Sequence, residues 1–188
     1  MRSLTKKSYD LVESACKAET NKWGDAAWTH HILNVIQFSK QLAQELQADE
    51  EIVELAAVFH DYASVLNPEY IENHHEHGAR LARKFLMKND YPEDRINQIE
   101  HCILSHRASK RIKRNTIEAK ILASADAMAH FANLDSLFYL VYSTKKMGID
   151  EGREYLLSKL DRSWKKLLPK AKDIIAPHYE AVKLLLRK

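Results

Sequence analysis

Four side chains on three helical stretches could share one cation: His31, His60, Asp61 and Asp126. His31 lies beside Ile32 and one turn before Val35, so it leans toward the buried face of its helix, whereas His30 shares a stripe with Asn34, Gln37 and Gln41 and points to water. The alternative role for His31 is a core imidazole bonded to a backbone carbonyl. His60 and Asp61 are adjacent in Glu54-Leu-Ala-Ala-Val-Phe-His60-Asp61, a segment otherwise apolar and small. Burying an ionised carboxylate without a cation or several donors is expensive. Asp61 could instead be exposed or cap a neighbouring helix, but Ala56, Ala57 and Ala63 leave room for a ligand to approach the backbone. Asp126 stands in Ala119-Lys-Ile-Leu-Ala-Ser-Ala-Asp126-Ala-Met-Ala. Asp is disfavoured inside a helix by up to about 0.7 kcal/mol relative to Ala, so its place among small packing residues suggests a ligand. A contact with His130, one turn on, is the alternative. Two imidazoles and two carboxylates suit Mn, Fe, Zn, Co or Ni better than Mg or Ca. With open coordination positions such an ion would bind and acidify a water.

The elements that must position these residues are helical almost throughout. Apolar periodicity predicts helices over residues 7–18, 26–47, 50–66, 75–88, 92–107, 117–129, 134–145, 149–168 and 170–186. Asp49 is a suitable N-cap ahead of Glu50 and Glu51, Asn67-Pro68 ends the third helix, Pro92 opens another, and Gly148 closes the seventh. No alternating strand pattern, repeat or linker-like stretch interrupts the chain, so an all-α, single-domain helical bundle over residues 1–188 is expected. The stretch from Leu134 to Lys188 carries no candidate chemistry and is expected to pack on the rest, as a dimer face or a lid, with a homo-oligomer among the expected states.

The 188 residues are 45 % hydrophobic and 29 % charged, which is globular composition. Two cysteines, Cys16 and Cys102, are too few for a disulfide framework or a thiolate zinc module. No apolar run approaches the ~20 residues a membrane span needs, and no apolar segment follows Arg2, Lys6 and Lys7 as a secretory signal would require. No membrane partner and a cytoplasmic location are therefore expected. A net charge of +3 permits anionic small molecules without demanding nucleic acid.

His31-Ile-Leu-Asn-Val, then His60-Asp61, then Ala-Ser-Ala-Asp126 resembles the H…HD…D pattern of the HD-domain superfamily of metal-dependent phosphohydrolases, over residues 28–131. The resemblance implies an all-α bundle with a divalent metal on His31, His60, Asp61 and Asp126, hydrolysing phosphate esters or anhydrides, often of nucleotides. Asp61 and Asp126 are then the candidate catalytic carboxylates, orienting a metal-activated hydroxide. His74 stands four residues before Gly78 of a Gly-Ala pair and His106 ends the next helix. Both are similar to the extra histidines of dinuclear members, in which Asp61 would bridge two ions; a solvated, His-rich helix start with His75 and His77 exposed is the alternative. One ion is expected and a second is implied by this similarity. His101 is read as structural or at the surface.

The chain departs from the family pattern in places. Asn34 stands where many members carry a basic residue. There is no Gly-Tyr-Pro extension after His106, as in cyclic-dinucleotide phosphodiesterases, and no Glu-Asp pair shortly after Asp61, as in alarmone hydrolases. The basic stretch Arg107-Ala-Ser-Lys110-Arg111-Ile-Lys113-Arg114 offers cations for a phosphate. Arg107 and Lys110, closest to His106, are the candidate substrate-binding residues; Lys113 and Arg114 read as solvated, and Lys120 is a lesser candidate. The expected partner is a phosphorylated small molecule, a nucleotide above all. Two other roles fit the same ligands: a di-iron HD-type oxygenase, which needs His74 and His106 as well, and a non-catalytic metal-containing binding module.

Overall fold

The structure is a computed structural model that describes residues 2–107, 109–110 and 112–187, with the side chain of Arg2 left aside. Arg111 of the basic stretch lies outside the described residues. Every regular element among the described residues is helical. Ten α-helices follow in order: α1 (Arg2–Lys17), α2 (Leu33–Leu46), α3 (Glu50–Phe59), α4 (Tyr62–Leu66), α5 (His74–Lys88), α6 (Glu93–Ser105), α7 (Ile117–Ala132), α8 (Leu134–Phe138), α9 (Ile149–Lys166) and α10 (Pro169–Leu185). A π-helical turn, Ala27–Ile32, leads into α2, and a second π-helical segment, Tyr139–Thr144, follows α8. No helix of the described residues is long and apolar enough to cross a membrane.

Local chemistry accounts for several boundaries. The Asp49 carboxylate accepts from the Ile52 backbone N–H at 3.1 Å and caps α3, and the Thr116 hydroxyl does the same for Ala119 in α7. Three expectations are corrected. The first helix starts at Arg2, before residue 7. Gly148 is the extended residue ahead of α9 and does not close the preceding segment, which ends at Thr144. The helix expected over 50–66 breaks at His60–Asp61, where Asp61 leaves helical geometry (φ −109°, ψ 6°). Its carbonyl there accepts from the Ser64 and Val65 N–H groups and starts α4.

The core explains why α7 is so rich in alanine. Ala119, Leu122, Ala125 and Ala129 pack into one apolar cluster with Ile32, Val35, Phe59 and Ile103. Ile121, Ala127, Met128 and Phe131 pack into another with Leu42, Leu156, Leu160 and Ile175. A helix enclosed on nearly every side must be apolar or small all round. Asp126 is the charged exception at its centre, 8 % exposed. Ser124, also on α7, accepts the Leu168 backbone N–H at 3.0 Å and ties the α9–α10 junction to the same helix.

Candidate metal centre

His31 comes from the π-helical turn, His60 from the C-terminal end of α3, Asp61 from the break, His74 from the first turn of α5, His106 from the end of α6 and Asp126 from the middle of α7. The structure brings all six together in two triads, each with its ligand atoms within 4.8 Å of one another: His31, His60 and Asp126, and Asp61, His74 and His106. Asp61 joins them. Its Oδ2 lies 3.4 Å from Nε2 of both His31 and His60, and its Oδ1 lies 3.2 Å from Nε2 of His74. Asp126 Oδ1 is 3.5 Å from His31 Nε2.

The break in the third helix is what allows this. In a continuous helix His60 and Asp61 would diverge by ~100°. The turn at Asp61 instead puts its carboxylate alongside the His60 ring. The α5 backbone packs close to the same point: a Cβ at Gly78 would meet the carbonyl oxygens of Phe59 and His60 at 3.4 and 3.5 Å, ordinary contact distances.

The ring nitrogens show what the site can hold. Nδ1 of His60, His74 and His106 each faces the carbonyl oxygen three residues back, Ala57, Ile71 and Ile103, at 2.6 to 2.7 Å. A carbonyl only accepts, so Nδ1 carries a proton in each, and in the neutral imidazole Nε2 keeps its lone pair. Nε2 of His74 then faces Nε2 of His106 at 3.2 Å, lone pair to lone pair. His60 and His31 face each other through Nε2 at the same distance, with no contact among the described residues fixing the tautomer of His31. The His74–His106 pair repels unless a cation lies between its two nitrogens. A separation of 3.2 Å suits two nitrogens bound to one ion at about 2.0–2.1 Å, and histidines oriented by their second nitrogen are the usual metal ligands. The donor set thus fits a divalent transition metal in each triad.

Electrostatics favour a metal over a proton at the second triad. Burial and the neighbouring His74 drive the His106 imidazole well below the usual histidine range. Burial disfavours the His60 cation, but Asp61 outweighs it and raises the group to about 8. Burial also pushes the Asp61 carboxyl up, yet the His60 and His74 imidazoles hold it well below the usual carboxylate range. Asp126 is held low in the same sense, chiefly by Lys166 and then His130, against the cost of burial.

These shifts predict a stability profile for the metal-free protein. His106 and His130, both depressed mainly by burial, resist protonation in the folded state. The unfolded chain takes up those protons near 6.5, so stability falls as pH drops below about 6.5. His60 acts oppositely, since its raised value of about 8 means that its contribution is lost as pH rises through 8. Thermal unfolding in chelator from pH 5 to 9 should therefore show a maximum near neutral pH; a steady rise through pH 8 would contradict the assignment.

The expected residues fall into place unevenly. His30 is exposed, and His101 accepts the Asn115 backbone N–H at 3.1 Å, a structural contact. His75 is not exposed but buried, with Nδ1 lacking a hydrogen-bond partner among the described residues, while His77 stacks on Tyr70. Arg107 lines the cleft in front of the triads and donates to the Glu72 carbonyl. Lys110 lies 3.9 Å from the Glu72 carboxylate and does not line that cleft. Arg114 is not solvated: it donates to the carbonyls of Ser105 and Arg107 and secures the turn after α6. Lys120 is exposed.

The expectation that residues 134–188 bring no chemistry is overturned. Lys166 of α9 places Nζ 2.6 Å from Asp126 Oδ2 and 3.2 Å from the His106 carbonyl, with its side chain 6 % exposed. The His130 contact weighed from the sequence is present but looser, at 3.6 Å from Asp126 Oδ1, and the His130 ring also stacks on His31 at 4.8 Å. Nothing in the sequence separates Lys166 from its exposed neighbour Lys165.

The cleft has a volume of about 660 Å³ and opens onto His31, Asp61 and His74. The two π-helical segments form parts of its wall, and Trp23, Tyr139 and Tyr155 add aromatic surface. Such volumes are typical of small-molecule sites.

Comparison with known proteins gives two findings. The HD domain family matches residues 28–130, which contain all six ligand candidates. The crystal structure of a predicted HD superfamily hydrolase from an uncultured Thermotogales bacterium is similar with a TM-score of 0.58 at 19 % identity, covering 83 % of this chain and 84 % of that one. No curated protein matches the chain.

Proposed function

The chain belongs to the HD domain family, and from that premise we propose that it is a metal-dependent phosphohydrolase acting on a phosphate ester or anhydride of a small molecule, a nucleotide in particular. The observation that carries this reading is the pair of Nε2–Nε2 contacts at 3.2 Å, one in each triad, joined through the two oxygens of Asp61. Two ions fit, one on His31, His60 and Asp126 and one on His74 and His106, with Asp61 shared. A divalent metal there supplies Lewis acidity, which polarises a phosphoryl oxygen and lowers the pKa of water toward ~7.

The chain's own residues do the rest. Asp61 turns one oxygen to each triad at the cleft floor and would help hold an ion at both. Asp126 keeps Oδ1 toward the site because Lys166 occupies Oδ2. Arg107, at the cleft wall, is placed to meet a phosphate oxygen once it releases the Glu72 carbonyl. The volume of the cleft and its aromatic side chains support a nucleoside as the group attached to phosphate. Lys166 makes the C-terminal helices part of the same functional unit.

Elemental analysis of protein purified without added metal, followed by a screen of nucleoside mono-, di- and polyphosphates with Mn, Fe, Co and Ni in turn, tests the reading. Phosphate release with at least one metal is the expected outcome. A folded, metal-free protein inert across the panel would leave a binding module. The six-residue set also favours a second reading, a di-iron oxygenase; iron content with O₂-dependent turnover and no phosphate release would select it.

A further inference from the structure

The cations around the ligand cluster are almost all committed. Arg107 donates to the Glu72 carbonyl, Arg114 to two carbonyls, and Lys166 to Asp126. Lys110 lies near the Glu72 carboxylate, and Lys145 stands over the Tyr155 ring at 5.4 Å. Lys22, at the cleft rim, is exposed to water. Lys159 is different. It is partly buried, yet among the described residues it makes no hydrogen bond, ion pair or ring contact.

Its place on α9 is well defined by its neighbours. Lys159 follows Tyr155, which lines the cleft, by one helical turn, and precedes Lys166, which holds Asp126, by two turns. The three therefore share one face of α9, although Lys159 itself is not among the residues that line the cleft. Its charge is felt there. After burial, Lys159 is the largest influence depressing His130, whose ring lines the cleft and stacks on His31. Lys159 in turn interacts with the carboxylates of Asp126 and Asp61, while burial lowers its own amine from the usual lysine value. Those carboxylates act on Lys159 without a direct ion pair among the described residues, and a lysine on a flexible four-carbon stem is suited to meet a phosphate as a point charge.

We propose that Lys159 is a substrate-binding residue whose ammonium pairs with the phosphate oxygens of an anionic substrate as they enter the cleft beside Asp61, Asp126 and His130. This rests on the reading of the site as a phosphohydrolase. The phosphate supplies the direct ion pair that Lys159 lacks among the described residues, and α9 becomes one wall of the phosphate site.

The test uses inorganic phosphate as the probe on the metal-loaded full chain, with Lys159→Met and Lys159→Arg. Metal content should match the wild type in both variants, and the unfolding temperature without phosphate should not fall in either. Phosphate affinity by calorimetry should fall about 10- to 100-fold in Lys159→Met, the usual effect of losing a hydrogen bond to a charged group, and remain close to wild type in Lys159→Arg. KM for any hydrolysed substrate should rise with it. Equal phosphate affinity in Lys159→Met, or no phosphate binding by the wild type, overturns the proposal. So does loss of metal together with loss of phosphate affinity, which would make Lys159 a support of the ligand cluster. Phosphate binding that depends on Lys159 in a protein that hydrolyses nothing would instead overturn the proposed reaction and leave this assignment standing.

Discussion

Asp61→Ala is expected to yield a folded protein that retains no metal and releases no phosphate. The carboxylate is the one group whose two oxygens face different triads, at 3.4 Å from His31 and His60 and 3.2 Å from His74. Its removal leaves His74 and His106 as the only ligands of the second position among the described residues and takes a negative charge from both. Losing an outer hydrogen-bond partner of a metal ligand already costs about 10- to 100-fold in affinity or activity, so losing a shared ligand should cost more. The fold should survive, because the Asp61 side chain caps no helix and its structural bonds, to Ser64 and Val65, run through its backbone carbonyl. Elemental analysis, circular dichroism and phosphate release check the three parts. Metal at full stoichiometry in Asp61→Ala would disprove the bridging role. His30→Ala is the companion variant for metal content: the residue is exposed, belongs to neither triad, and should leave metal binding intact.

Lys166→Met has the next largest expected effect, and it should depend on whether metal is present. Lys166 and Asp126 form an ion pair at 2.6 Å with side chains 6 % and 11 % exposed. Removing one partner of a buried pair costs about 3–5 kcal/mol, because the other charge is left uncompensated. In chelator, the variant should be destabilised by that order in urea unfolding. With metal present the loss should shrink, since the ion then neutralises Asp126. The double variant Asp126→Asn/Lys166→Met should recover most of the chelator-state stability, because contacting charges are coupled and do not add. A loss of the same size with and without metal would show that Lys166 acts by packing and not by balancing Asp126.

Much of the site was legible before the structure because its residues break local rules. Asp126 is a poor choice for an alanine-rich helix, and His60-Asp61 is polar inside an apolar stretch. The ordered pattern with His74 and His106 completed a set that the structure brings together. The missing pieces broke no local rule. Lys159 and Lys166 look like any lysines of a solvated amphipathic helix, and His75 looks like any polar residue in the first turn of α5. The helix break at Asp61 carries no Gly or Pro, so periodicity ran through it.

By itself, the sequence determined that the chain is helical, that Asp49 caps α3, and which four histidines and aspartates could serve as ligands, with His74 and His106 added by the family resemblance. Those features depend on residue type and on neighbours a few positions away, through the 3.6-residue period and side-chain capping. Only the tertiary structure decided how the ligands divide. Asp61 turns one oxygen to each triad because α3 stops and α5 and α6 arrive from the other side. Lys166 meets Asp126 across 40 residues of chain, and the two π-helical segments meet across a shared cleft. Contacts between segments so far apart are selected by the packing of the whole bundle around α7, which no local pattern encodes.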